Sequence, residues 1–118
     1  MNRKHGTKKL DDMMQELYDA ILSLDSASEL DIFLRDLCTP QELMNLAERW
    51  QVCRLLHQGT MSYREISALT GASLATIGRV ARFLHIEPHQ GYQLALARMQ
   101  GKATKKVKKK KPDTMEIL

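Results

Sequence analysis

Apolar residues recur every three or four positions along most of the chain, which is the period of an α-helix. The first such stretch predicts a helix over residues 9–24. Ser26 and Glu29 form the pattern of a capping box, in which a serine precedes a glutamate by three positions. This box predicts a second helix over about 27–37.

A third helix is predicted to start at Thr39-Pro40, because threonine is a good helix cap and proline is favoured in the first helical turn. The apolar period carries this helix to about residue 57, and Gly59 lies where a glycine commonly follows the last turn. Its expected inner face consists of Leu43, Leu46, Ala47, Trp50, Cys53 and Leu56 or His57.

Residues 59–86 predict two short helices joined by a turn at Gly71, where a positive φ favours glycine. Ser62 and Glu65 form a capping box for the first helix, and Ser73 caps the second. This arrangement is a helix-turn-helix, which places its second helix in a DNA major groove. An ordinary helical hairpin is the alternative. A small residue four positions before the glycine and an apolar residue six positions after it favour the helix-turn-helix.

Each of these two helices has an apolar and a polar face. Ile66 and Leu69 are expected to point inward from the first helix. The inward residues of the second are Leu74, Ile77, Val80, Ala81 and Leu84. Its outward residues are small, hydroxylic or cationic: Ala75, Thr76, Gly78, Arg79 and Arg82. Such side chains let a helix approach base edges while arginines bind phosphates or guanines.

Pro88 is expected to open a last helix that ends near Met99. The chain is therefore predicted to be all-α, with about six helices and no strand. Residues 9–100 form one domain, whose helix-turn-helix covers about 62–86. A domain of this size has a shallow core, so the extra apolar helices are expected to pack against a second copy in a closely packed or intertwined homodimer. A thicker monomeric core is the alternative.

The net charge of +4 is distributed unevenly along the chain. Residues 1–9 carry +4 and residues 101–118 carry +5, whereas residues 10–100 carry −5. We expect residues 1–8 to form a flexible basic arm and residues 101–118 a disordered, lysine-rich tail. Both segments can attract DNA phosphates without sequence preference, and a purely solubilising tail is the alternative.

Several kinds of site have no support in the sequence. Cys38 and Cys53 lack metal-ligand spacing, so we expect reduced thiols and no metal. There is no catalytic constellation and no phosphate-binding glycine motif, so we expect no enzyme. No apolar run approaches the ~20 residues of a membrane span, and the polar start is unlike a signal peptide. A cytoplasmic protein without a membrane partner is expected.

Three motifs resemble those of the Trp repressor family in order and spacing. They are Leu37-Cys38-Thr39-Pro40-x-Glu42 followed by Arg49, Gly59-x-Met61-Ser62-x-Arg64-Glu65, and Gly71-Ala72-x-x-Ala75-Thr76-Ile77-x-Arg79. The resemblance covers about residues 30–95 and is greatest to the short YerC/YecD-type branch. It implies an all-helical, intertwined homodimer whose helix-turn-helix units read a palindromic operator in double-stranded DNA.

The resemblance also implies part of a pocket for a tryptophan co-repressor. The residues that match this pocket are Thr39, Arg49, Thr76 and Arg79. Val80 stands where the family has a glycine, and Phe83 stands where it has a serine that helps to hold the ligand. Val80 and Phe83 either fill the pocket, so that DNA binding is constitutive or has another effector, or are core residues of a protein without a ligand. We expect no tryptophan-type co-repressor.

The sequence thus predicts a sequence-specific DNA-binding transcriptional regulator, a homodimeric repressor with recognition helix 74–86. The expected DNA-binding residues are Arg64, Ser73, Leu74, Ala75, Thr76, Gly78, Arg79 and Arg82. Arg79 has two competing roles, in the pocket wall or on DNA. Gly78 allows close approach to DNA, gives the helix flexibility, or is a tolerated exposed glycine. The alternative function is a non-enzymatic nucleic-acid-associated or protein-interaction module that uses the lysine tail.

Overall fold

A computed structural model describes the backbone of residues 2–102 and the side chains of residues 9–102. All regular structure in this range is helical: α1 (Asn2–Leu22), α2 (Ala27–Leu37), α3 (Pro40–Gln58), α4 (Tyr63–Thr70), α5 (Leu74–His85) and α6 (91–102). The predicted all-α class with six helices is confirmed. Residues 101 and 102 belong to α6, and the rest of the predicted lysine-rich tail lies outside the described residues.

Capping residues determine where α2 and α3 begin. The Ser26 hydroxyl accepts a hydrogen bond from the Glu29 amide at 3.1 Å, as predicted, but the Glu29 carboxylate accepts from the Asp25 amide at 2.8 Å rather than from the Ser26 amide. The Thr39 hydroxyl accepts from the Glu42 amide at 3.1 Å, and the Glu42 carboxylate accepts from the Thr39 amide at 2.8 Å. These bonds favour the charged carboxylate and lower the pKa of Glu42. Both helices therefore start where the sequence predicted.

The first helix starts earlier than predicted. Helix α1 begins at Asn2 rather than near residue 9, so the backbone of the expected flexible arm is helical from Asn2 onwards. The prediction followed apolar residues, which are absent between Met1 and Leu10. Arginine and lysine are nevertheless good helix formers, and no proline interrupts this segment.

The last helix starts later than predicted. Helix α6 begins at residue 91, not at Pro88. Gln90 has a φ of 57°, which lies in the left-handed region and cannot continue a right-handed helix. Its carbonyl oxygen accepts a hydrogen bond from the Leu94 amide at 3.1 Å, so Gln90 precedes the first helical turn.

The chain divides into two compact units, one up to Met44 and one from Asn45 onwards. Among residues 9–44, no side chain is fully buried. The exposed large apolar side chains of this unit are Leu10, Met13, Met14, Tyr18, Leu22, Ile32, Leu37 and Met44. The first unit therefore leaves apolar surface in contact with solvent in a single chain.

The second unit contains the hydrophobic core. Its buried residues are Val52, Cys53, Leu55, Ile66, Ala72, Ile77, Val80 and Leu84, with Trp50, Leu56, Met61, Tyr92 and Leu96 packed against them. Helix α3 packs into this core through the face that carries Val52 and Leu55. The expected inner residues Leu46 and Ala47 are exposed instead.

Two further residues that were expected to point inward are exposed. The buried side of α4 runs through Ile66, Ser67 and Thr70, so Leu69 lies on the other flank and is 64% exposed. Leu74 is the first residue of α5 and is 51% exposed, because the helix makes contact with the core only from Ile77 onwards.

Candidate nucleic-acid interface

Helices α4 and α5 form a helix-turn-helix. Gly71 ends α4 with a φ of 82°, and its amide donates to the Ser67 carbonyl at 2.9 Å. A left-handed residue at this position reverses the chain with no steric cost for glycine. Ala72 is buried beside the turn. The predicted positive φ at Gly71 is confirmed.

Ser62 and Glu65 make a complete capping box at the start of α4. The Ser62 hydroxyl accepts from the Glu65 amide at 3.2 Å, and the Glu65 carboxylate accepts from the Ser62 amide at 2.9 Å. The bond from the Ser62 amide, with the Ser62 side chain, lowers the pKa of Glu65. The carboxylate is therefore held at the amino end of α4, where the helix dipole also favours a negative charge.

Ser73 caps α5 and is linked to Thr76 twice. The Ser73 hydroxyl accepts from the Thr76 amide at 3.1 Å and donates to the Thr76 hydroxyl at 3.0 Å. Both residues were predicted to contact DNA. Their mutual bonds fix the two hydroxyl groups at the amino end of α5.

Helix α5 buries one face and exposes the other. Its buried residues are Ile77, Val80, Ala81 and Leu84. The exposed residues are Leu74, Ala75, Gly78, Arg79 and Arg82, and Thr76 is partly exposed. Arg64 is exposed on α4. All the predicted DNA-binding residues thus lie on α4, on α5 or at the α5 cap, and their contact with DNA stays a prediction.

Two arginines of α5 lie close to the ring of Phe83. The guanidinium carbon of Arg79 is 4.5 Å from the ring centroid and that of Arg82 is 5.4 Å from it. Arg82 Nε also lies 3.2 Å from Glu87 Oε1. The four-residue spacing of Arg79 and Phe83 could have revealed the first contact in the sequence. The ion pair depends on the path of the chain after α5, and the sequence pattern does not predict that path.

A cavity of about 280 Å³ lies beside this cluster. Its lining residues are Arg49, Arg79, Val80, Phe83, His89, Gln90, Gly91 and Tyr92. Burial raises the pKa of the Tyr92 hydroxyl, and the Tyr92 ring lies 6.5 Å from that of Trp50. The Gln93 side chain donates to the Leu84 carbonyl at 3.0 Å, which joins α6 to the end of α5.

Comparison with known proteins identifies the family. Residues 12–100 match the family described as Trp repressor protein. The chain belongs to the Trp repressor family. Membership in a family of repressors supports a role as a DNA-binding regulator rather than as an enzyme.

Individual relatives agree with this assignment. The chain is 41% identical over 87 residues to the uncharacterized protein YerC of Bacillus subtilis, a match that covers 74% of this chain and 82% of YerC. A Trp repressor-like protein from Eubacterium eligens has a similar structure, with a TM-score of 0.71, 36% identity and coverage of 75% of this chain and 90% of that protein. A candidate Trp repressor from Staphylococcus aureus has a TM-score of 0.70 and 39% identity, over 75% of this chain and 87% of its own.

The cavity is lined by residues at four of the six positions that the resemblance to the Trp repressor family implies for a co-repressor pocket. These four are Arg49, Arg79, Val80 and Phe83. Thr76 is not among the lining residues, and its hydroxyl accepts a hydrogen bond from Ser73, whereas Thr39 belongs to the first unit, where its hydroxyl caps α3. Val80 is a buried core residue, whereas Phe83 is half-buried. Both side chains form part of the wall and leave the cavity open, and their effect on tryptophan binding stays a prediction.

Within residues 2–102, no helix combines the length and the apolar character that are needed to cross a bilayer. The described side chains also include no cluster of three or more histidine, cysteine, aspartate or glutamate residues that could bind a metal ion.

Proposed function

We propose that the protein is a sequence-specific transcriptional repressor that binds a palindromic operator as a homodimer and reads it with α5. The observation that carries this proposal is the division of α5 into a buried apolar face and an exposed face of small, hydroxylic and cationic residues. Such a helix can lie in a major groove without losing its contacts with the core. Because the relatives named above come from bacteria, in which chromosomal DNA lies in the cytoplasm, we propose that the protein acts there.

The charge distribution supports binding through this face. Residues 10–100 carry a net charge of −5, but residues 62–86 contain Arg64, Arg79 and Arg82 against one acidic residue, Glu65. Positive charge is therefore concentrated on the helix-turn-helix of an otherwise acidic domain. The acidic rest of the domain is repelled by DNA phosphates, which lowers non-specific binding. The cationic face therefore determines how the domain is oriented on DNA.

The exposed residues of α5 divide into two chemical groups. Arg79 and Arg82 can donate hydrogen bonds to phosphate oxygens or to guanine. Leu74 and Ala75 offer apolar contact to thymine methyl groups, and both are exposed at the start of the helix. Selectivity is therefore expected from the amino-terminal part of α5, and orientation on the backbone from the arginines.

The exposed apolar residues of the first unit support the homodimer. No described side chain of helices α1 and α2 is fully buried. The apolar side chains of Leu10, Met13 and Ile32 are each more than half exposed. Packing against a second copy removes such surface from water. It also provides two recognition helices for half-sites about 34–36 Å apart.

Light scattering tests the homodimer. We expect twice the 13.5 kDa mass of one chain. Ile32→Glu should give monomers, because Ile32 is 63% exposed in a single chain and the change does not disturb that chain. Ile86→Glu, at a residue that is 76% exposed after α5, is the matched control. A monomeric wild-type protein would contradict the homodimer.

The operator is tested by selecting bound duplexes from a random pool, followed by anisotropy titrations with a selected and a scrambled duplex. A palindromic selected sequence is expected. Thr76→Ala should weaken binding to the selected duplex by about 1–3 kcal/mol more than binding to the scrambled one, whereas Arg82→Ala, which removes a phosphate contact, should weaken binding to both duplexes about equally. Arg54→Ala, which removes an exposed arginine of α3, is the control and should change neither affinity.

Deletion of residues 103–118 separates this proposal from a module that binds through its lysine tail. We expect the deletion to lower the affinity for both duplexes equally and to make binding depend less steeply on salt concentration. The proposal fails if this deletion abolishes binding while the α5 substitutions have no effect.

A further inference from the structure

The ring of Phe83 brings two positive charges of α5 together. Both guanidinium carbons, 4.5 Å and 5.4 Å from the ring centroid, lie within the ~6 Å at which a cation is attracted to the face of an aromatic ring. Arg79 and Phe83 are four residues apart, so they are neighbours on the helix surface. Arg82 directly precedes Phe83 and reaches the same ring.

The two arginines differ in their anionic partners. Arg82 is paired with Glu87 at 3.2 Å, whereas Arg79 pairs with no carboxylate among the described residues. An aromatic ring attracts a guanidinium group without occupying its N–H donors as a carboxylate does. Arg79 is therefore held in place while its donors stay available for an external anion.

Phe83 is itself fixed by the fold. It lies on α5 between Val80 and Leu84, which are 1% and 0% exposed, and its ring is half-buried at the edge of the cavity. A rigid ring restricts the guanidinium groups before binding, so less side-chain freedom is lost when they bind a partner.

We infer that Phe83 is a positioning residue for DNA binding, which holds Arg79 and Arg82 in place for phosphate groups without contacting DNA itself. This inference rests on the proposed DNA-binding function. It assigns to Phe83 a role distinct from filling a ligand pocket, because the ring acts through the two arginines.

Two substitutions at Phe83 separate positioning from packing. Phe83→Leu keeps an apolar side chain but removes the aromatic face, whereas Phe83→Trp keeps that face and can extend into the adjacent cavity of about 280 Å³. We expect Phe83→Leu to lower the affinity for the selected duplex about 3- to 10-fold. The affinity of Phe83→Trp should stay within about twofold of that of the wild-type protein. A packing role predicts the opposite order, because tryptophan changes the volume more than leucine does.

A double-mutant cycle with Arg79→Gln tests whether the ring acts through the arginine. In the Arg79→Gln background, Phe83→Leu should cost less affinity than it does alone. Equal losses in both backgrounds, wild-type affinity of Phe83→Leu, or failure of Phe83→Trp to rescue binding would each overturn the inference.

Nuclear magnetic resonance of the protein without DNA provides a readout that does not depend on the function. The Arg79 side-chain protons should show a ring-current shift that Phe83→Leu removes. If the shift is present and the wild-type protein binds no duplex, the proposed DNA-binding function fails. If wild type binds and the shift is absent, the positioning inference alone fails.

Discussion

The Ser67 hydroxyl donates a hydrogen bond to the Ala72 carbonyl oxygen at 2.7 Å, across the turn between α4 and α5. Thr70 strengthens the same turn, since its hydroxyl donates to the Ile66 carbonyl at 2.7 Å and accepts from the Ala72 amide at 3.1 Å. Two side chains of α4 thus bind the backbone that leads into α5. The angle between the two helices depends on these bonds as well as on Gly71.

Ser67→Ala should lower the free energy of unfolding by about 1 kcal/mol, because the partly buried Ala72 carbonyl loses its side-chain donor. Urea denaturation measures this loss. Ser28→Ala is a matched control, since Ser28 is exposed on α2. Equal stability of the two variants would show that the bond across the turn contributes nothing.

The capping box of α4 predicts a dependence of stability on pH. The pKa of Glu65 is lower in the folded state than its ordinary value of 4.5, so the charged carboxylate favours folding. This contribution is complete above about pH 4.5 and is lost as the pH falls through the folded pKa. Glu65→Gln should therefore reduce the fall in melting temperature as the pH is lowered from about 5 to about 3. Glu16→Gln, an exposed charge-matched change on α1, should not.

Gly78→Ala should have opposite effects on stability and on DNA binding. A β-carbon at Gly78 meets no atom of the chain within 4 Å, so alanine should stabilise α5 by about 1 kcal/mol. The added methyl group lies on the exposed face of α5 that we propose to approach DNA, so overpacking there should weaken binding to the selected duplex about tenfold. Thermal melting and anisotropy measure the two effects.

Gly91→Ala is the control for Gly78→Ala, because Gly91 also has open space around it but lies on α6. It should leave DNA binding unchanged. Unchanged or tighter binding by Gly78→Ala would identify Gly78 as a tolerated exposed glycine.

Much of the fold could be predicted because its signals are local. The capping boxes act within four residues, and those at Thr39 and Ser62 are complete in the structure, whereas at Ser26 only the serine half of the box forms. Burial was harder to predict, because it depends on which flank of a helix meets the rest of the protein. Leu69 has the spacing of an inward residue, yet it is exposed because the buried side of α4 runs through Ile66, Ser67 and Thr70.

The site could be predicted only in part for the same reason. The exposed residues of α5 follow from helical periodicity. The pair of Arg82 with Glu87 and the cavity wall at Tyr92 require the path of the chain after His85, which Gln90 determines with its φ of 57°. A left-handed glutamine leaves no pattern in the sequence.

From the residues that line the cavity we predict that L-tryptophan does not raise the melting temperature. Val80 adds a branched side chain to the cavity wall where the resemblance implies a glycine beside an indole ring, and the Arg79 guanidinium lies over the ring of Phe83. Millimolar L-tryptophan should therefore shift the melting temperature of the wild-type protein by less than about 1 °C.

A variant with Val80→Gly and Phe83→Ser introduces at both positions the smaller residues that the Trp repressor family implies, and releases Arg79 from the ring. Its own stability should fall, because a core side chain is lost. Relative to the same variant without ligand, L-tryptophan at ten times its Kd should add about 1.4 kcal/mol of stability, a rise of about 5–10 °C for a domain of this size. L-leucine is the ligand control. A rise in the wild-type protein would contradict the prediction, and no rise in the variant would show that space at these two positions is not what prevents binding.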